Sequence, residues 1–247
     1  MTELKPNAEI SATIAPGREN LSDGKKGLAL IMAIAFSVRL AYLVEYSFSD
    51  WWDALIMDPG NHWDLAGRIA AGDGMGPYAF FRAPLYLYLL AGLRVVFGDS
   101  LWPVRVLQLF LGAAVCGMVF TLGRRLLSPA LAFVGALIYS CWWVPVYFDG
   151  ELLTESPATF LNLLLLLLLD RADEDGQRQK WWLAGAGLTA GLSAVTRPNI
   201  LLFATAVTLV LGVRCVARLR LRGEWRGPLV GTVMFVVGAG LPVAPVT

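Results

Sequence analysis

Residues 156–169 read SPATFLNLLLLLLL, and the last seven of them are leucine. A helix packed on a soluble core keeps one polar stripe, and seven consecutive leucines leave none. A helix that is apolar all round belongs in lipid, so this stretch sets the class of the chain. Working outward, comparable apolar blocks occur at 28–47, 104–123, 129–148, 181–196, 198–213 and 228–246. Together with 154–169 they predict about seven membrane-crossing helices, because about 20 apolar residues cover a hydrocarbon layer of about 30 Å. Composition agrees: 57% of the 247 residues are hydrophobic and 16% charged, against about 25% charged in a soluble domain. The expected fold class is all-α and polytopic.

The three cysteines, Cys116, Cys141 and Cys215, show no CxxC or Cys/His spacing, which argues against a disulfide framework or a thiolate zinc site. Residues 1–26 are polar, include Pro16 and Gly17, and read as a disordered tail. Residues 27–247 read as the transmembrane domain. The apolar block at its start lacks a small-residue cleavage site and reads as a retained anchor.

Residues 84–98, PLYLYLLAGLRVVFG, are apolar but short, and they carry Arg94. Such a segment falls below the length of a span and reads as a helix lying at the membrane interface. With that placement Lys25, Lys26, Arg124, Arg125, Arg171, Arg178, Lys180 and the run from Arg214 to Arg226 share one side. With Lys5 and Arg18, 14 of the 20 Lys and Arg lie there, and the positive-inside rule makes that side and the N-terminus cytoplasmic. The basic run beside two spans reads as a topology and anionic-lipid signal, not a nucleic-acid patch. Two loops then face outward, 48–103 and 149–155. They hold Asp50, Asp53, Asp58, Asp64, Asp73, Asp99, Asp149, Glu151 and Glu155, and carboxylates at the membrane surface are candidates for function.

Asp58 followed by Pro59 reads as a helix N-cap with proline in the first turn, and the helix behind it is expected to bury Trp63, Ala66, Ile69 and Ala70. Glu151 and Glu155 stand four apart and share a face if their segment is helical, where like charges repel. His62 is the single histidine; it reads either as a polar surface residue or as a partner of Asp58 in proton transfer or metal binding. Arg39, inside the first block, is expected to snorkel or to pair with Glu45. The tryptophan pairs 51/52, 142/143 and 181/182 fall near span ends and read as an interfacial belt.

An ordered series of short motifs runs through the chain. After Asp58 comes D-x-x-x-x-W-x-x-A, then R-x-P-L-Y from Arg82, G-x-S-L-x-x-V-R from Gly98 to Arg105, and G-R-R-L at 123–126. E-L-L-T-E at 151–155 and L-T-A-G-L-S-A-V-T-R-P-N at 188–199 complete it. Over about residues 28–213 this series resembles the GT-C superfamily, in particular the bacterial glycosyltransferases related to protein O-mannosyltransferases and to the lipid A aminoarabinose transferase. The resemblance places the family's first-loop catalytic carboxylate on Asp58 and its second-loop carboxylate on Glu155, with Glu151 beside it. It places the phosphate-contacting basic residue on Arg82 and a further basic residue on Arg197.

The activity so implied is transfer of a sugar from a polyprenyl-phosphate donor to an acceptor hydroxyl outside the cytoplasm, with inversion. The expected location is a bacterial inner membrane, with lipid and the lipid-linked sugar as partners and no nucleic acid. Sugar and acceptor are not legible. The chain has Pro59 where the family carries a second first-loop acid, and Phe81 where the aminoarabinose transferase has an acid, so a divalent metal ion stays open as cofactor. Family members usually continue for further spans, so the transmembrane region is expected to be incomplete at its C-terminus. The rival readings are a non-catalytic or truncated member of the fold, and a transporter or flippase with several mid-span charges or matched broken spans. The catalytic reading requires Asp58 and Glu155 to emerge together on one outer surface.

Overall fold

The computed structural model describes residues 21–74, 84–176, 178–222 and 226–246. Helices account for every regular element among them. In chain order these are α1 (Leu21–Ser47), α2 (Asp58–Ala70), α3 (Pro84–Phe97), α4 (Trp102–Leu126) and α5 (Pro129–Cys141). They continue with α6 (Trp143–Gly150), α7 (Glu155–Glu174), α8 (Gln179–Ala194), α9 (Ile200–Arg222) and α10 (Arg226–Val243), closed by a 3₁₀ turn at Ala244–Val246. Helix α1 begins at Leu21, ahead of the boundary expected at 26; the remainder of the expected tail lies outside the described residues.

The chain is a polytopic membrane protein, but the expected count of seven spans is revised. Four helices, α1, α4, α9 and α10, are long and apolar enough to cross a bilayer, and a fifth span results if α5 and α6, bent by 48°, are taken as one. The bend has a local cause. Pro145 cannot donate to the carbonyl four residues earlier, and Trp142 between the helices is extended (φ −69°, ψ 121°). The two remaining expected spans are helical but short. The apolar run of α7 ends at Asp170, so its 14 residues reach about 21 Å, and the 16 residues of α8 reach about 24 Å, against a hydrocarbon layer of about 30 Å.

Side-chain pairs define two ends of the bundle. At one end Arg125 binds Asp170 and Glu174, and Arg214 binds Asp173 at 2.7 Å, joining the basic ends of α4, α7 and α9. At the other end the 149–155 segment meets α1, α2 and α4. The acidic loops and the basic loops are thus segregated, as the charge pattern predicts.

Packing between α8 and α10 relies on small residues. A Cβ on Gly187 would lie 2.1 Å from the Phe235 carbonyl oxygen, and one on Gly191 would lie 2.4 Å from that of Ala239. Backbone atoms cannot step aside, so this four-residue spacing permits a close approach that any side chain would prevent. Gly187→Ala is therefore expected to lower stability by roughly 1–3 kcal/mol, the usual cost of overpacking, while Gly212→Ala, whose Cβ meets nothing within 4 Å, should leave it unchanged. Thermal unfolding of the two variants in the same detergent checks this.

Candidate active site

Helix α2 starts at Asp58, with Met57 in the capping position and Pro59 in the first turn. Asp58 therefore belongs to the first turn and is not itself the cap. Met57 is the one non-glycine residue with positive φ among the described residues (φ 59°), a conformation that costs of order 1–3 kcal/mol and persists only where its surroundings impose it. The buried face of α2 holds His62, Trp63 and Ala66, and Ile69 and Ala70 pack at its margin. The partner is α3, which presents Tyr86, Leu90 and Ala91 to the same cluster.

The second acidic loop is held by its backbone. Four consecutive carbonyls, from Asp149 to Leu152, each take a hydrogen bond from the side chain of another helix. Gln108 of α4 donates through its amide nitrogen to Asp149 O (3.1 Å) and Glu151 O (2.6 Å). Arg105, one turn earlier and fully buried, donates to Gly150 O at 2.9 Å and to Trp52 O at 2.9 Å. Its guanidinium stacks on the Trp52 ring at 3.9 Å. His62 of α2 makes the fourth bond, Nδ1 to Leu152 O at 2.9 Å.

That last bond gives His62 a structural partner in the second loop. A carbonyl only accepts, so Nδ1 carries the proton. The ring also stands edge-on to Tyr86 at 5.5 Å, and the Tyr86 hydroxyl donates to Gln108 Oε1 at 2.6 Å. Burial, and after it the charge of Glu155, push the Tyr86 phenol well above its ordinary pKa, which keeps it protonated as that donor. His62 is thus a clasp between the helix that begins with Asp58 and the loop that carries Glu151. His62→Asn, whose amide can replace the Nδ1–H donor, is expected to keep most of the stability. His62→Phe should lose about 1–3 kcal/mol by stranding the Leu152 carbonyl. Chemical unfolding of both variants separates the outcomes.

Glu151 and Glu155 do not share a helix face. Glu151 is extended (φ −90°, ψ 147°) and α7 begins only at Glu155. The two acids consequently point to different spaces. Glu151 accepts from the Tyr46 hydroxyl at 3.0 Å and lines a groove of about 610 Å³ together with Asp58, Tyr46, Trp51 and Tyr147. Glu155 binds Arg197 at 3.2 Å and lines a smaller cavity of about 150 Å³ with Arg39 and Asp149. The acid that shares a groove with Asp58 is therefore Glu151, while Glu155 and Arg197 form a separate pair. Arg82 lies outside the described residues.

Arg39 does not pair with Glu45. It crosses to Asp149, Nε to Oδ2 at 2.7 Å, with the guanidinium 2% exposed, and donates to Ser140 O at 3.2 Å. Gly112 makes room for the pair, since a Cβ there would lie 2.0 Å from Asp149 Oδ2. Sequence reasoning missed Arg105, Gln108 and Asp149 as parts of one support. The signal was present: Arg105, Gln108 and Gly112 recur at helical spacing within an apolar span, where polar side chains need a partner.

Among the described residues no three His, Cys, Asp or Glu side chains converge as metal ligands. Residues 75–83 contain none of these types.

The model of one protein family, described as dolichyl-phosphate-mannose-protein mannosyltransferase, matches residues 81–240. The match begins after Asp58 and takes in Glu151, Glu155 and Arg197. No significant match is found among curated proteins or among solved structures. With well over half of its length matched and an all-helical, membrane-spanning fold, the chain belongs to the dolichyl-phosphate-mannose-protein mannosyltransferase family of the GT-C superfamily.

Proposed function

We propose that the chain transfers a sugar from a polyprenyl-phosphate donor to an acceptor hydroxyl on the non-cytoplasmic side of a bacterial inner membrane, with inversion at the anomeric carbon. The observation that carries this reading is the shared groove of Asp58 and Glu151, at the end of the bundle opposite the ion pairs of Arg125 and Arg214. Asp58, exposed in the first turn of α2, is the general base that takes the acceptor's proton. The exposed tryptophan and tyrosines beside it offer apolar faces to a sugar ring. The leaving polyprenyl phosphate gains charge as the bond breaks, and an arginine fork suits that charge. Arg82 is assigned this contact from the family pattern, which also names Arg197, held by Glu155 at 3.2 Å. The strained Met57 fixes the start of α2 and with it the direction of Asp58.

The test is purified protein in lipid nanodiscs with a polyprenyl-phosphate sugar labelled in the sugar. The expected result is loss of label from the lipid with release of polyprenyl phosphate, and the same assay with and without EDTA decides whether a divalent metal takes part. Donor that remains intact across a panel of hydroxyl acceptors would speak for a non-catalytic member of the fold.

A further inference from the structure

Glu151 is 9% exposed and stands in the wall of the Asp58 groove, a burial that costs a carboxylate free energy unless its oxygens are bonded. One oxygen, Oε1, accepts from the Tyr46 hydroxyl at 3.0 Å. The other takes no hydrogen bond among the described residues and is not sealed from the groove. The backbone cannot shift to supply a partner. Gln108 holds the Glu151 carbonyl at 2.6 Å, and His62 holds that of Leu152 at 2.9 Å. A fixed main chain and one fixed oxygen therefore leave the second oxygen held in place and unused.

The hydroxyl that does the holding is itself clamped. The Tyr46 ring stacks on Tyr42 at 5.6 Å and meets Trp52 edge-on at 5.8 Å. The Arg105 guanidinium lies over its face at 4.9 Å. The same hydroxyl is 3.2 Å from Trp51 O, but it has one proton, and the carboxylate is the nearer and stronger acceptor. Trp51 and Tyr147 line the groove beside Glu151. A carboxylate acceptor next to aromatic faces suits a sugar ring, whose hydroxyls donate to the acid while its C–H face lies on the aromatic surface.

We propose that Glu151 takes a hydrogen bond from a hydroxyl of the transferred sugar through its second oxygen, and that Tyr46 is the positioning residue that orients it. This role rests on the transfer reading, in which Asp58 serves the acceptor and Glu151 is left to the sugar ring. The Tyr46–Glu151 pair then sets specificity, because a site built to take a hydroxyl rejects the sugar that lacks it.

The test uses polyprenyl-phosphate mannose as probe, with its 2-, 3-, 4- and 6-deoxy forms, and the full chain in nanodiscs. One deoxy form is expected to lose about 10- to 100-fold in kcat/KM, the worth of one hydrogen bond to a charged group. That penalty should fall below about threefold in Glu151→Ala, where the acceptor is gone. Tyr46→Phe keeps every ring contact and should give an intermediate penalty, with the other three deoxy forms unaffected. Tyr88→Phe, an exposed residue on α3, should keep the wild-type ratios. No deoxy penalty in the wild type, or the same penalty in wild type, Glu151→Ala and Tyr46→Phe, would overturn the proposal. Absence of any transfer by the wild type counts against the transfer reading instead. Binding of the five lipids, followed by native mass spectrometry, then decides the role of Glu151: selective loss of one deoxy form that disappears in Glu151→Ala supports it, and equal affinity for all five overturns it.

Discussion

Asp58→Asn is expected to cut sugar transfer by about 10²- to 10⁴-fold, the range that a positioned general base contributes, with donor binding close to normal. The substitution keeps size and shape and removes the charge and basicity of the carboxylate. Asp58 is exposed and lies inside the first turn of α2, with Met57 and not Asp58 in the capping position, so no cap is lost. The negative charge near a helix N-terminus is worth about 0.3–1 kcal/mol, which is small beside the catalytic effect. Turnover and donor affinity measured on the same preparation separate the two. An unchanged turnover number would remove Asp58 from the reaction. Glu151→Gln should have a smaller effect, since glutamine still accepts from Tyr46 and retains the held backbone of its segment.

The largest effect on stability is expected at the buried ion pair. Asp149→Leu alone should destabilise the protein by about 3–5 kcal/mol, because it leaves the Arg39 guanidinium charged and buried without its partner. Arg39→Met alone should cost a similar amount for the converse reason. The double variant should regain most of the loss, since removing both charges removes the desolvation cost as well. It should not regain all of it, because Arg39 also holds the Ser140 carbonyl at the bend between α5 and α6. A double-mutant cycle on thermal unfolding measures the coupling. Independent, additive losses would show that the 2.7 Å contact contributes little.

Much of this architecture was legible in the sequence because the signals were compositional or local. Leucine-rich blocks gave helices, the arginine asymmetry gave the two ends of the bundle, and Pro59 with Trp63 and Ala66 gave α2 and its buried face. Counting spans from apolar blocks failed at α7 and α8, helices too short to cross alone, which pack against each other, α7 also on α4 and α8 on α10. The partner of Arg39 was missed because it lies 110 residues away in sequence, whereas helical spacing pointed only to nearby Glu45. The relation of Glu151 to Glu155 was misread for a related reason. Spacing four suggested one face, but the carbonyl bonds from Gln108, Arg105 and His62 hold residues 149–152 against neighbouring helices instead of letting α7 extend backward. These contacts come from two separate helices, α4 and α2, and the spacing within the 149–155 segment gives no sign of them.

The proposed site has Asp58 and Glu151 lining one groove and Glu155 lining a separate cavity. Its most direct test is thiol cross-linking in membranes, on a background with Cys116, Cys141 and Cys215 replaced. A short bismaleimide should join cysteines placed at 58 and 151 readily and those at 58 and 155 slowly or not at all. Efficient joining of 58 to 155 with none between 58 and 151 would contradict the groove as described.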